Sequence, residues 1–273
     1  MLTRVMLPTP PLRAYVHHYW VMKTERISAE MNIVPTGSMK WMFHRRTPLV
    51  VNGMVDNSNV ASVCGQYTRS INVHTAQSTH LLFVFFRPYA LKMIMGMPSD
   101  SFVEDNVSMA LLEMPGFHDL KCRVLDSPTD DEAIAIIEAF IMRRLYNNGD
   151  SVYLKPLMAA CSAIDSDPTV SIERLSDIAC LSERQFRRIF TEHVGMTPKQ
   201  MIRTKRFFYA TKMMQTLDES VFTAIVDDLG FTDHSHFNKE FRHFSGMSPT
   251  EYLAHLREIK RTDFIRGYRA YHE

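Results

Sequence analysis

The chain has 273 residues, 45% of them hydrophobic, and its 31 basic and 30 acidic side chains leave a formal net charge of +1. That length can bury an ordinary core and suits two domains, while the near-neutral balance excludes a chain that grips nucleic acid by bulk charge alone. Apolar runs as short as Leu81–Phe86 exclude a membrane-spanning helix, and residues 1–15 lack the apolar stretch of a secretory signal, so a cytoplasmic protein without a membrane partner is expected. Cys64, Cys122, Cys161 and Cys180 stand singly and read as buried thiols in a reducing compartment, neither a disulfide framework nor a zinc site. The 19 methionines suggest soft, adaptable packing.

Residues 1–128 read as β-rich with loops. Runs heavy in β-branched and aromatic residues, such as "MNIVPTGSMKWMFH", "TPLVVNGMV" and "THLLFVFFRPY", are punctuated by Pro35, Gly37, Pro48, Gly53 and Pro88. This spacing suits a small barrel or sandwich better than a parallel sheet. A helix follows, with Thr129 and Glu132 in capping-box spacing, acids early, and Arg143 and Arg144 late. "NNGDS" from Asn147 to Ser151 breaks it and marks the domain boundary. The fold class expected is therefore α+β. A β-rich, barrel-like domain over 1–150 precedes an all-α domain over 151–257 and a tail over 258–273.

From about residue 152 the pattern is helical. Ser171 and Ser182 are positioned to cap two short helices, and Gly195 ends the second. Thr197-Pro198 opens a long helix running to Thr216. Ser220 caps the next helix, Gly230 turns the chain, Thr232 or Asp233 caps another, and Gly246 and Ser248-Pro249 repeat the earlier stop and start. Phe186, Phe190, Gly195, Met196 and Pro198 are matched 51 residues later by Phe237, Phe241, Gly246, Met247 and Pro249. Two copies are too few for a solenoid and suit a paired unit.

Two helices joined by a tight turn make a helix-turn-helix, whose second helix enters a major groove. Phe186 and Phe190, like Phe237 and Phe241, sit at i and i+4 and turn one face inward. The opposite face carries Arg184, Arg187, Arg188 and Thr191 in the first copy. In the second it carries His234, Ser235, His236, Asn238, Lys239 and Arg242, all types that reach base edges and phosphates. From Ser182 to Arg206, seven basic residues (Arg184, Arg187, Arg188, Lys199, Arg203, Lys205, Arg206) face two acids (Glu183, Glu192). A helix from Lys199 to Thr216 would span about 27 Å, near the ~34 Å of one duplex turn, so it could set two recognition helices in successive grooves.

At these residues the chain resembles the AraC/XylS family of bacterial transcription regulators. "SIERLSDIACLSERQFRRIFTEHVGMTPKQMI" is similar to the family's first helix-turn-helix. "FTAIVDDLGFTDHSHFNKEFRHFSGMSPTEYL" is similar to the second, with its Gly-Phe, F-x-x-x-F and G-x-S-P-x-x-Y landmarks. The likeness covers about Tyr153 to Leu256. It implies two helix-turn-helix subdomains joined by one helix, binding double-stranded promoter DNA and recruiting or blocking RNA polymerase. Carried over by position, Arg184, Arg187, Arg188, His234, Ser235, His236 and Lys239 face bases, and Thr191 and Arg242 lie near phosphate. The first half resembles the family's cupin-like sensing domains in "PPLRAYVHHYW", "IVPTGSMKWMF" and "LLFVFFRPYAL". That implies a small-molecule effector, self-association as a homodimer, or both.

Asp227 and Asp228 depart from the family pattern, where small apolar residues are usual. Pairing with a nearby Arg is the expectation for them. Two enzymatic readings stand as alternatives. His17, His18, His44, His74 and His80 could suggest a cupin-like metal enzyme, but no ligand spacing appears, and His17 and His18 on a strand should point to opposite faces. An alkyl-transfer repair protein would need a reactive cysteine with neighbouring zinc-binding ones, which Cys64 and Cys122 lack. The expectation is no enzyme, with no catalytic residues, metal or cofactor.

Overall fold

A computed structural model describes the chain except for residues 1, 25–28, 46–49, 52–53, 56–59, 76–77, 103–105, 150, 217, 219 and 260–273. In chain order the strands and helices of the first half are β1 (Leu2–Met6), β2 (Val16–Thr24), β3 (Ala29–Ile33), β4 (Lys40–His44), β5 (Val50–Val51), β6 (Met54–Val55), β7 (Ala61–Cys64), β8 (Ile71–Thr75), β9 (Thr79–Phe86), α1 (Ala90–Met95), β10 (Asn106–Ser108), α2 (Phe117–Asp126) and α3 (Asp130–Asn148). The second half is helical: α4 (Leu154–Ser166), α5 (Ile172–Ile178), α6 (Glu183–Val194), α7 (Pro198–Met213), α8 (Val221–Asp228), α9 (His234–Ser245) and α10 (Pro249–Ile259).

The strands form two antiparallel sheets, of order β1-β2-β9-β4-β7-β10 and β3-β8-β5-β6. The six-stranded sheet is covered on both faces. On one, Tyr19, Val21, Trp41, Phe43, Leu82, Val84 and Phe86 join a core with Phe117 of α2 and Phe140 of α3, the Trp41 and Phe117 rings meeting edge-on at 5.3 Å. On the other, Trp20, Met22, Met42, Leu81, Phe83 and Phe85 form a second cluster, against which Ile33 and Ile71 of the smaller sheet pack. Double coverage explains why "LLFVFF" is apolar without alternation, since side chains of both parities are inside. Asp130, at the start of α3, ties that helix to the sheet through Lys23 (2.6 Å), Arg45 (2.8 Å) and His80 (2.8 Å). Burial raises its carboxyl, but the hydrogen bonds from Lys23 and His80 prevail and hold it below the ordinary range.

The first half is thus less purely β than its sequence suggests, because α1 and α2 lie within it. The core beneath α2 and α3 also continues through Leu157, Ile164, Leu175, Phe186, Phe190, Val194 and Met201 of α4 to α7. A separate core holds the last helices together around Phe207, Ile225, Phe237, Phe241, Phe244 and Leu253, and it also takes in Val34. Two local expectations change. Only Cys64 and Cys161 are buried, Cys122 is half-buried and Cys180 exposed, and all four are free thiols. His17 and His18 do not diverge. A register shift between Val16 and His18 in β2 brings their Nδ1 atoms to 2.6 Å, so one nitrogen donates to the other. The expected tail lies outside the described residues from 260 on, as does the side chain of His74.

Candidate nucleic-acid interface

Each unit is built from a short helix, a tight turn and a capped second helix. Ser182 and Gln185 form a reciprocal capping box at the start of α6. Asp233, not Thr232, caps α9, accepting from the His236 backbone N–H at 2.7 Å. The turns differ by one residue: four residues separate α5 from α6 (179–182) and five separate α8 from α9 (229–233). Each contains one left-handed residue, Cys180 at φ 53° and Gly230 at φ 67°. Ser220 does not cap α8 through its side chain. It is itself helical, and its N–H bonds to Asp218 at 3.0 Å.

Helix α6 buries Phe186, Ile189, Phe190, His193 and Val194, and leaves Arg184, Arg187 and Arg188 exposed. Arg187 pairs with Glu183 at 3.0 Å and Arg188 with Glu192 at 3.4 Å, both one helical turn away and solvent-facing. Such pairs contribute only about 0.3–0.5 kcal/mol each, so phosphate or a guanine edge can displace them. Glu192 is also held by Lys92 of α1, and that hydrogen bond is the leading cause of its lowered pKa. Thr191 is half-buried and donates back to the Arg187 carbonyl at 2.8 Å.

Helix α9 buries Phe237, Phe241 and Phe244, while His234, Ser235, Asn238, Lys239 and Arg242 are exposed. His236 departs from that open face. It is half-buried, its ring lies edge-on to Phe231, and its Nδ1 accepts the Thr232 N–H at 3.2 Å. Arg242 has Glu251 of α10 within 3.7 Å. Asp227 and Asp228 are exposed at the end of α8, and among the described residues neither makes an ion pair, contrary to the expected arginine partner.

The connecting helix α7 is shorter than expected. It ends at Met213, followed by a 3-10 turn over Met214–Thr216, so its 16 residues span about 24 Å. Thr197 and Gln200 cap it with another reciprocal box. The local basic excess also shrinks, because three of its seven cations are used internally. Arg203 makes a bidentate pair with Glu240 of α9 at 2.7 and 2.8 Å. Lys205 pairs with Asp165 of α4 at 2.8 Å. Arg206 donates to the carbonyls of Pro168 and Gly230, joining the two units. Burial raises the Glu240 carboxyl, but the Arg203 hydrogen bonds and charge outweigh that and leave it below the ordinary range. The sequence hides these roles, since the partners lie 24 to 40 residues away. Arg184, Arg187, Arg188 and Lys199 remain exposed.

Among the described residues, no three His, Cys, Asp or Glu side chains gather as a metal set, and no helix is long and apolar enough to cross a membrane.

Comparison with known proteins places this architecture. A helix-turn-helix domain family model matches residues 175–255, and a model for a domain of unknown function, DUF6597, matches residues 4–108. An uncharacterized HTH-type transcriptional regulator of Haemophilus influenzae is 31% identical over 133 residues, 47% of this chain and 44% of that protein. The transcriptional activator RhaS of Escherichia fergusonii is 37% identical over 82 residues, 30% of this chain and 29% of its own length. The chain thus spans less than half the length of these curated relatives, which are named as transcriptional regulators. The crystal structure of ToxT from Vibrio cholerae aligns over 92% of this chain and 97% of its own, at 14% identity and a TM-score of 0.45. With two helix-turn-helix units joined by α7 and the family model matched across them, residues 175–255 form a helix-turn-helix domain of the kind carried by AraC/XylS-type bacterial transcription regulators.

Proposed function

We propose that the chain is a sequence-specific, DNA-binding transcription regulator that lays α6 and α9 in adjacent major grooves of one promoter. The observation that carries this is the paired exposure: each helix buries its phenylalanines and presents a continuous polar face to solvent. Arg184, Arg187 and Arg188 are the base readers of the first groove segment, since guanidinium forks match guanine edges. His234, Ser235, Asn238 and Lys239 read the second, with His236 contributing only if it leaves the Thr232 amide. Thr191 and Arg242 lie near phosphate. Residues 151–257 act as the DNA-binding domain and residues 1–150 as the domain that receives a small-molecule effector, self-associates, or does both. RNA polymerase is the partner on the promoter, and the protein works in the cytoplasm without catalysing a reaction.

The test is the salt dependence of binding to duplexes that the full chain selects from a randomised library. Neutralised phosphates release counterions, so log K should fall linearly with log salt. Protection should show two patches about 10 base pairs apart per monomer. A single patch, or no selected duplex, would reject the two-groove reading.

A further inference from the structure

The carbonyls of a helix's last turn have no donor within the helix. At the ends of both α6 and α9, one such carbonyl is taken by the same short stretch of the first half, residues 65–70 between β7 and β8. Gln66 Nε2 donates to the carbonyl of Val194, the last residue of α6, at 3.0 Å, and to that of Gly37 at 3.1 Å. Four residues later, the Ser70 backbone N–H donates to the carbonyl of Phe244, next to last in α9, at 2.7 Å. Gln66 is 1% exposed. Backbones press together around it: a Cβ on Gly65 would stand 1.3 Å from the Phe102 carbonyl oxygen, and one on Gly195 would stand 2.9 Å from that of Ser99.

The two acceptors belong to different cores. Val194 lies in the one that continues into the sheet, and Phe244 in the one that encloses the second unit. A stretch bonded to both therefore constrains one unit relative to the other, which neither core does by itself. Helix α7 also reaches both ends, joining α6 through residues 195–197 and stacking Phe207 on Phe244 at 5.0 Å, so the bonds from residues 65–70 add a second restraint from the amino-terminal half.

We propose that Gln66 and Ser70 are positioning residues for DNA recognition, fixing the two recognition helices relative to each other so that the amino-terminal half helps to set the half-site spacing the protein accepts. The inference rests on the DNA-binding reading above. Neither residue is among those proposed to touch DNA.

The full chain is assayed on a duplex it has selected from a randomised library, on the same duplex with one base pair inserted between the two protected segments, and on one keeping only the first segment. One inserted base pair rotates the second segment by roughly 35°. Wild type should discriminate strongly against the insertion. Gln66→Met, which keeps the volume and removes the donor, and Ser70→Pro, which removes the N–H, should each cut that discrimination by about tenfold. Binding to the single segment should stay unchanged, an outcome that general loss of stability would not give. Thermal melting by circular dichroism identifies folded variants, and Gln66→Met alone decides if Ser70→Pro does not fold. Undiminished discrimination in folded Gln66→Met, or a wild type indifferent to spacing, overturns the inference. Failure of wild type to select any duplex overturns the DNA-binding reading itself.

Discussion

The first helix-turn-helix unit is rooted in the core that also fills the space beneath the six-stranded sheet, whereas the second encloses its own core around Phe207, Phe237, Phe241 and Phe244. Their outward faces differ as well. Helix α6 exposes three arginines and is anchored behind by Lys92 through Glu192, while α9 exposes His234, Ser235, Asn238, Lys239 and Arg242, with Asp227 and Asp228 open to solvent at the end of α8. A guanidinium brings charge and a rigid donor fork. Imidazole, hydroxyl and amide groups bring hydrogen bonds with little pull on phosphate. In the proposed function this difference gives α6 the larger share of the attraction for phosphate and α9 the larger share of the hydrogen bonding.

The strongest challenge to that contrast is removal of one phenylalanine from each core. Phe190→Ala and Phe241→Ala should each cost about 3–5 kcal/mol. Hydrogen exchange should show the first loosening sheet and helices together, and the second opening only α8 to α10. Identical exchange patterns would erase the distinction. Next in size, Arg184→Ala should cost about 1–3 kcal/mol of DNA affinity and relax preference in one groove segment, measured by competition among base-substituted duplexes. Replacing Asp227 and Asp228 together by Ala should tighten binding at low salt if those carboxylates face the backbone, and unchanged affinity would place them away from it.

A pH titration probes both halves at once. Burial, then the charge of His17, then that of Arg87 bring His18 down to about 3, and burial leads the lowering of His193. These folded-state imidazoles stay neutral while those of the unfolded chain take up protons near 6.5. Stability should therefore be lost as pH falls from about 6.5 towards 3, seen as a falling melting temperature, and His18→Phe should flatten the fall. The smallest effect concerns the turns. Cys180 holds a left-handed conformation that its counterpart Gly230 adopts freely, so Cys180→Gly should stabilise the chain by about 1 kcal/mol in denaturant titrations. Gly230→Ala should do the opposite, because its Cβ would stand 2.7 Å from Thr169 Cγ2.

The helical half was largely legible, because caps, stops and the i, i+4 phenylalanines are local signals. Ser171, Ser182, Thr197 and Asp233 accept the backbone hydrogen bonds that their positions implied. Helix α2 lies within the stretch whose sequence reads as β-rich with loops, although Phe117, Leu120 and Val124 are buried at helical spacing. Helix α1, six residues long, is too short for periodicity to register. At the candidate site, exposure of the arginines followed from the Phe pattern, but the internal use of Arg203, Lys205 and Arg206 did not, because charge counting cannot see a partner from another element. The proximity of His17 to His18 was hidden for a related reason, as strand alternation assumes a regular register and β2 has a shift there.

Strand β9 leaves one more consequence. With Leu81 through Phe86 all enclosed, sliding the strand by one position would still leave five apolar side chains in the buried stretch, with His80 or Arg87 in the sixth place, so oil-and-water patterning gives only end-of-strand guidance on alignment. The choice must fall to shape, with Leu, Phe, Phe filling one side and Leu, Val, Phe the other. Mispaired ribbons of nearly equal greasiness should thus compete during refolding, and a single swap of Phe83 with Val84 would favour them without altering overall hydropathy.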